Sequence, residues 1–212
     1  DDPANARVLS HLAQTLSRNG NRSAFGLLIQ TGRYPWANGT SDATDNSVWM
    51  MPNGNWASLA LRRGVAVADA LGVANVTLAH WRDGLKDQWN VAGLLGGVGY
   101  GADGMPWCTS HYGYYMSAWH LLFALSGQRY DAPSATLTFE APRCDTASCE
   151  WPVLVPSVIG TLTIRRGAGA AAPTFALRVL AGGPLELDRL SAAGRDAPGA
   201  PLAIADGGEV SW

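Results

Sequence analysis

The chain has 212 residues, 47% hydrophobic and only 15% charged, with a net charge of −2 and nine tryptophans. Soluble domains carry about a quarter charged residues, so this one buries much of its surface or covers it with something other than charge. No clustered Lys/Arg patch exists to neutralise phosphates, which excludes nucleic acid as a partner, and no apolar run of about 18 residues exists, which excludes a membrane-spanning helix.

The first residues are Asp1-Asp2-Pro3, with no Met and no signal-like segment, so the chain reads as a mature or released piece, or as one that simply starts there. Ala4 to Ser17 places Val8, Leu9, Leu12 and Leu16 on one helical stripe, opened by Asp2-Pro3 and closed by Asn19-Gly20-Asn21. Three N-x-Ser/Thr triplets begin at Asn21, Asn38 and Asn75. Each predicts a glycan on an exposed turn of a secreted protein, or an unmodified surface Asn.

Thr31 to Asn46 is a polar loop. Asn53-Gly54-Asn55 predicts the start of a second helix, Trp56 to Leu71, whose apolar residues fall on several faces and imply burial on most sides. A third, short helix spans Asn75 to Gln88. Val91 to Asp103 holds five Gly in thirteen residues. Without a strand before it, a helix after it or a Lys, that segment is a loop and not a phosphate cradle. His111 to Leu125 repeats Tyr112, Tyr115, Met116, Trp119, Leu122 and Phe123 at helical spacing and ends at Ser126-Gly127.

After Asp131 the period falls to two. Ala135, Leu137 and Phe139 alternate with Thr136, Thr138 and Glu140, and short apolar runs follow at 152–155, 158–164, 175–180 and 185–190. Separated by Gly, Pro and Ala, they predict an antiparallel sheet. The chain thus divides into a helical part, 1–131, and a β-rich tail, 132–212.

Cys144 and Cys149 bracket Asp145-Thr146-Ala147-Ser148, a spacing suited to a small disulfide loop. Cys108 is left over, either buried and reduced or bonded to another chain. Disulfide and sequons together favour an oxidising compartment: secreted, cell-surface or lysosome-like. No His shares a metal-ligand spacing with two further ligands, so no metal and no cofactor is expected. No G-x-S-x-G nucleophile elbow occurs.

Tryptophan is the natural sugar platform, because its flat apolar face covers the C–H face of a pyranose while polar neighbours meet the hydroxyls. Trp89 and Trp107, on loops, are the candidate platforms, with Asn90 and Ser110 as hydroxyl contacts. Trp119, Tyr115 and Met116 read as packing. Asp83 and Asp87 read as solvated charge, and His120 as a core histidine. Asp103-Gly104 fits either a turn or a sugar contact, and His111 either a helix cap or a proton-transfer group.

Gln88-Trp89-Asn90-Val91, Asp103-Gly104-Met105-Pro106-Trp107, the Trp119 helix and the run from Ala124 to Asp131 together resemble the C-terminal part of (α/α)6-toroid glycoside hydrolases. The nearest resemblance is to relatives of the family 116 β-glucosidase and glucosylceramidase group, over roughly residues 54 to 190. The resemblance implies an α+β fold, the helices of an incomplete (α/α) toroid followed by an antiparallel β-rich tail. A companion chain or a missing N-terminal segment would complete the toroid. It implies a carbohydrate site that Asp103 and His111 border, and catalytic carboxylates upstream of these residues. The expected function is an aromatic wall in a secreted glycoside hydrolase-like protein. The alternative is a non-catalytic structural or sugar-binding glycoprotein, a subunit of a larger extracellular assembly.

Overall fold

The computed structural model describes residues 7, 10, 22–23, 26–27, 48–86, 94–95, 106–107, 117–167 and 171–212. They fall into two units, Asp1–Leu121 and Leu122–Trp212.

In the first unit, β1 (Arg22–Ser23) pairs antiparallel with β2 (Gly26–Leu27). A three-stranded antiparallel sheet joins β3 (Val48–Trp49), β4 (Leu94–Leu95) and β5 (Pro106–Trp107) in that order. Helix α1 (Met50–Arg63) follows β3 directly. It therefore starts before the Asn53-Gly54-Asn55 signal, because Asn53 is not a cap. Its buried amide pairs instead with β2, where Oδ1 accepts from the Leu27 N–H (2.7 Å) and Nδ2 donates to the Leu27 carbonyl (2.9 Å). Helix α1 stops at Gly64, whose N–H caps the carbonyls of Ala60 and Leu61, and Arg62 and Arg63 place positive charge on its C-terminal dipole. The chain then restarts as α2 (Val67–Ala79) and runs into a π-helical turn, His80–Leu85. The expected Trp56–Leu71 helix is thus parts of two helices broken at Gly64.

The faces joining α1 and α2 are small. Ala57, Ala60 and Ala70 pack with Leu121, and Trp56, Leu61, Ala74 and Leu78 close around them. Trp81 is fully buried and its Nε1 donates to Met50 Sδ (2.7 Å). Helix α3 (Ala118–Ser126) contributes Leu121 to this core.

The second unit is a β-sandwich. One sheet has the order β15 (Glu209–Ser211), β10 (Thr174–Ala181), β9 (Val158–Arg165), β8 (Ser148–Val155) and is antiparallel throughout. The other has the order β13 (Arg195–Asp196), β12 (Arg189–Ala192), β7 (Thr136–Phe139), β6 (Gln128–Asp131), with β12 parallel to β7. A third pair joins β11 (Leu185–Leu187) and β14 (Leu202–Ile204). The core is the alternate set of inward residues: Leu137 and Phe139 from one sheet, Leu162, Ile164, Phe175 and Leu177 from the other. Burying each such side chain stabilises the fold by about 1.5–3 kcal/mol.

This architecture overturns the expected toroid and tail. Among the described residues there are three α-helices and one π-turn, while most elements are strands in several mainly antiparallel sheets. Strands β1 to β5 lie within the part read as helical. The residues after Asp131 form a two-sheet core of their own and not a tail. The physical reason lies in length. The helices run 14, 13 and 9 residues and are cut by Gly64 and Gly127, and their contact is lined by Ala. The alternating Leu, Val, Ile and Phe of β7 to β12 supply most of the buried apolar side chains.

Candidate functional site

The register of the three-stranded sheet is the structural basis of a site. Trp49 on β3 is paired with Leu94 on β4, and Leu94 with Trp107 on β5. Paired residues share a sheet face, so two tryptophan positions stand in one row with a leucine between them. Adjacent strands lie about 4.8 Å apart, which sets the two tryptophan backbones at roughly 10 Å. Trp49 was not singled out from sequence. Its signal would have been Val48-Trp49 as a strand start, but a two-residue strand pairing 46 positions downstream has no local signature.

Side-chain hydrogen bonds tie β3 and the start of α1 to their neighbours. Asn53, in the first turns of α1, also donates to the Trp49 carbonyl (2.7 Å). At Gly26 a Cβ would come within 2.8 Å of Thr77 Oγ1 and 2.9 Å of Asn53 Oδ1, so only glycine allows β2 to approach α1 and α2 this closely. Ser117 Oγ donates to the Met50 carbonyl at 3.4 Å.

Of the expected sugar contacts, Trp107 lies on β5, paired with Leu94. Trp89, Asn90, Asp103, Ser110 and His111 lie outside the described residues, as do Cys108 and the acceptors Asn21 and Asn38. Asn75 is exposed within α2, on a helix and not the expected turn, while Thr77 of the same triplet is buried and donates to the Val73 carbonyl (2.8 Å). Cys144 and Cys149 are joined in a disulfide, with Cα atoms 5.6 Å apart.

Two side chains read as packing turn outward. Trp119 is 43% exposed. His120 is exposed and its Nδ1 lies 2.9 Å from Asn55 Oδ1. Asp83 behaves as expected, a solvated carboxylate bridged to Arg82 at 2.7 Å. The hydrogen bond from the Arg82 guanidinium, more than charge attraction, holds the Asp83 carboxyl below the usual carboxylate range.

Among the described residues no three His, Cys, Asp or Glu side chains are grouped to hold a metal ion. No described helix is long and apolar enough to cross a membrane. Comparison with protein-family models and with curated proteins gives no match.

Proposed function

We propose that this chain is a carbohydrate-contacting part of an extracellular protein, meeting sugar on the aromatic row of the β3–β5 sheet. The observation that carries this reading is the alignment of Trp49 and Trp107 across Leu94. Two tryptophan positions in one row of the sheet, their backbones roughly 10 Å apart, would offer apolar platforms to successive sugar rings. The segment around Trp89 and Asn90 and the segment from Asp103 to His111 flank β4 and β5 in sequence and supply the hydroxyl and charge contacts. The Cys144–Cys149 disulfide fits an oxidising compartment.

Among the described residues of the first unit only Asp69 and Asp83 carry carboxylates. Glycoside hydrolysis needs two carboxylates about 5–9.5 Å apart across the scissile bond. Asp83 is committed to Arg82 in solvent. A glycoside hydrolase-like role remains the second reading, resting on the sequence resemblance of the Ala124–Asp131 run. There α3 ends at Ser126, Gly127 is left-handed and β6 begins at Gln128. Under that reading the carboxylates come from a companion segment or chain.

The test is binding of neutral oligosaccharides to the full chain, followed by tryptophan fluorescence and calorimetry, with Trp107→Ala as the variant. The expected result is saturable binding weakened at least about tenfold by the substitution, with the circular dichroism spectrum unchanged. Binding that Trp107→Ala leaves intact would remove the row from the site. Hydrolysis by the isolated chain would overturn the non-catalytic reading.

A further inference from the structure

The end of the sandwich that carries the disulfide holds a cleft of about 620 Å³. Small-molecule sites commonly enclose about 300–1,000 Å³. Its exposed lining is about equally polar and apolar; the apolar part includes Pro142, Pro173 and the buried Ile164 and Phe175.

The charges around the cleft are unequal. Asp145 is its one acid, and Oδ2 of Asp145 already accepts from Arg143 Nε at 2.8 Å. Arg166 lines the cleft, exposed, with Nη1 donating to the Cys144 carbonyl at 3.4 Å. Arg195 borders it: Nη1 donates to the Pro173 carbonyl, and the guanidinium carbon lies 5.8 Å from the Phe175 ring centroid. Neither Arg166 nor Arg195 has a carboxylate partner among the described residues. A guanidinium has five N–H donors and stays charged, so both retain further donors beside the cleft. Trp212 steadies this corner, with its Nε1 donating to the Arg195 carbonyl (3.1 Å) and its ring 5.6 Å from Phe175.

We propose that this cleft binds a small amphipathic carboxylate, with its apolar body against the proline-lined walls and its carboxylate on Arg166 at the rim. A neutral ligand would leave the charge of Arg166 without a partner, and the Thr146 hydroxyl already donates to the Ser148 carbonyl (2.7 Å). A cation would face two uncompensated guanidiniums. A carboxylate matches the planar donor fork of arginine in two parallel hydrogen bonds. The site is distinct from the aromatic row of the β3–β5 sheet, and either can fail without the other. The disulfide cross-links the wall that holds Cys144, Asp145 and Thr146, so its reduction loosens the cleft.

The experiment uses 4-phenylbutyrate and its uncharged amide, 4-phenylbutyramide, titrated into the full chain and followed by amide chemical shifts. The acid is expected to move the signals of Ile164, Arg166 and Phe175 and to bind on the order of tenfold more tightly than the amide. Arg166→Gln, at an exposed position, should abolish that tenfold preference, and Arg166→Lys should restore part of it. Equal binding of acid and amide, a preference that survives Arg166→Gln, or no shifts in the cleft with acid present at about 10 mM, roughly the weakest binding of a fragment this small, would overturn the proposal.

Discussion

Three residues hold more of this structure than their size suggests. Asn53 and Gln128 are both buried amides, and each satisfies a strand's backbone in the way a neighbouring strand would. Gln128 Nε2 donates to the Leu154 carbonyl and Oε1 accepts from the Leu154 N–H (3.1 Å). Removing such an amide leaves a buried N–H and C=O without partners. Gln128→Ala and Asn53→Ala are therefore each expected to lose about 1–3 kcal/mol in chemical denaturation, whereas an exposed change such as Glu186→Ala should lose almost nothing. Gly127 is the third. It sits in the left-handed region at φ 66, where its carbonyl accepts from the Glu140 N–H (2.8 Å) and a Cβ would run into the Glu140 backbone. Gly127→Ala should cost at least about 1–3 kcal/mol of stability by thermal denaturation. The Arg82–Asp83 pair is fully solvated and fixes no structure. Arg82→Ala should raise the Asp83 carboxyl midpoint toward its ordinary value in an NMR titration. Because that midpoint is depressed in the folded chain, any contribution of the pair exists above the unfolded value and is lost as pH falls through the folded one.

At the scale of elements, the strands were legible where one face is buried. In β7, β9 and β10 every second residue is buried, chiefly Leu, Val, Ile or Phe, with Gly160 the small exception and Ile159 and Leu180 turned outward. The disulfide was legible from its four-residue loop. What local pattern could not carry was pairing at a distance, as between Val48 and Leu95, or the parallel contact of β12 with β7. The toroid failed for a related reason. Short motifs from Ala124 to Asp131 describe a helix end and a strand start, and that passage fits more than one fold. His120 and Trp119 were misread because helical spacing marks a stripe without saying which stripe is inward. Five of the six expected sugar contacts, Trp89, Asn90, Asp103, Ser110 and His111, lie outside the described residues.

The free edge of the first sheet of the sandwich shows how an element is kept from pairing with other chains. Leu154 faces its N–H and C=O away from β9, and Gln128 covers them. Pro152, two residues back on the same outward side, has no N–H to offer. Pro152→Val combined with Gln128→Ala should therefore promote self-association, visible as a concentration-dependent shift in gel filtration that neither substitution alone produces to the same degree. The small disulfide loop contributes through chain entropy. Cys144→Ser with Cys149→Ser is expected to lower stability by about 2 kcal/mol, the scale for closing a loop of this length.

At the scale of the whole molecule, the chain combines a small unit of Ala-faced helices and short strands with a sandwich that has its own apolar core. The disulfide and the anion-facing cleft belong to the sandwich, and the aromatic row to the first unit. The central claim is that the aromatic row meets carbohydrate. The most direct measurement is an amide and indole chemical-shift map of the full chain titrated with a neutral oligosaccharide. The shifts are predicted to cluster on Val48–Trp49, Leu94–Leu95 and Pro106–Trp107, with the indole N–H signals of Trp49 and Trp107 moving together. Shifts confined to β8–β10, or none at saturating sugar, would contradict it.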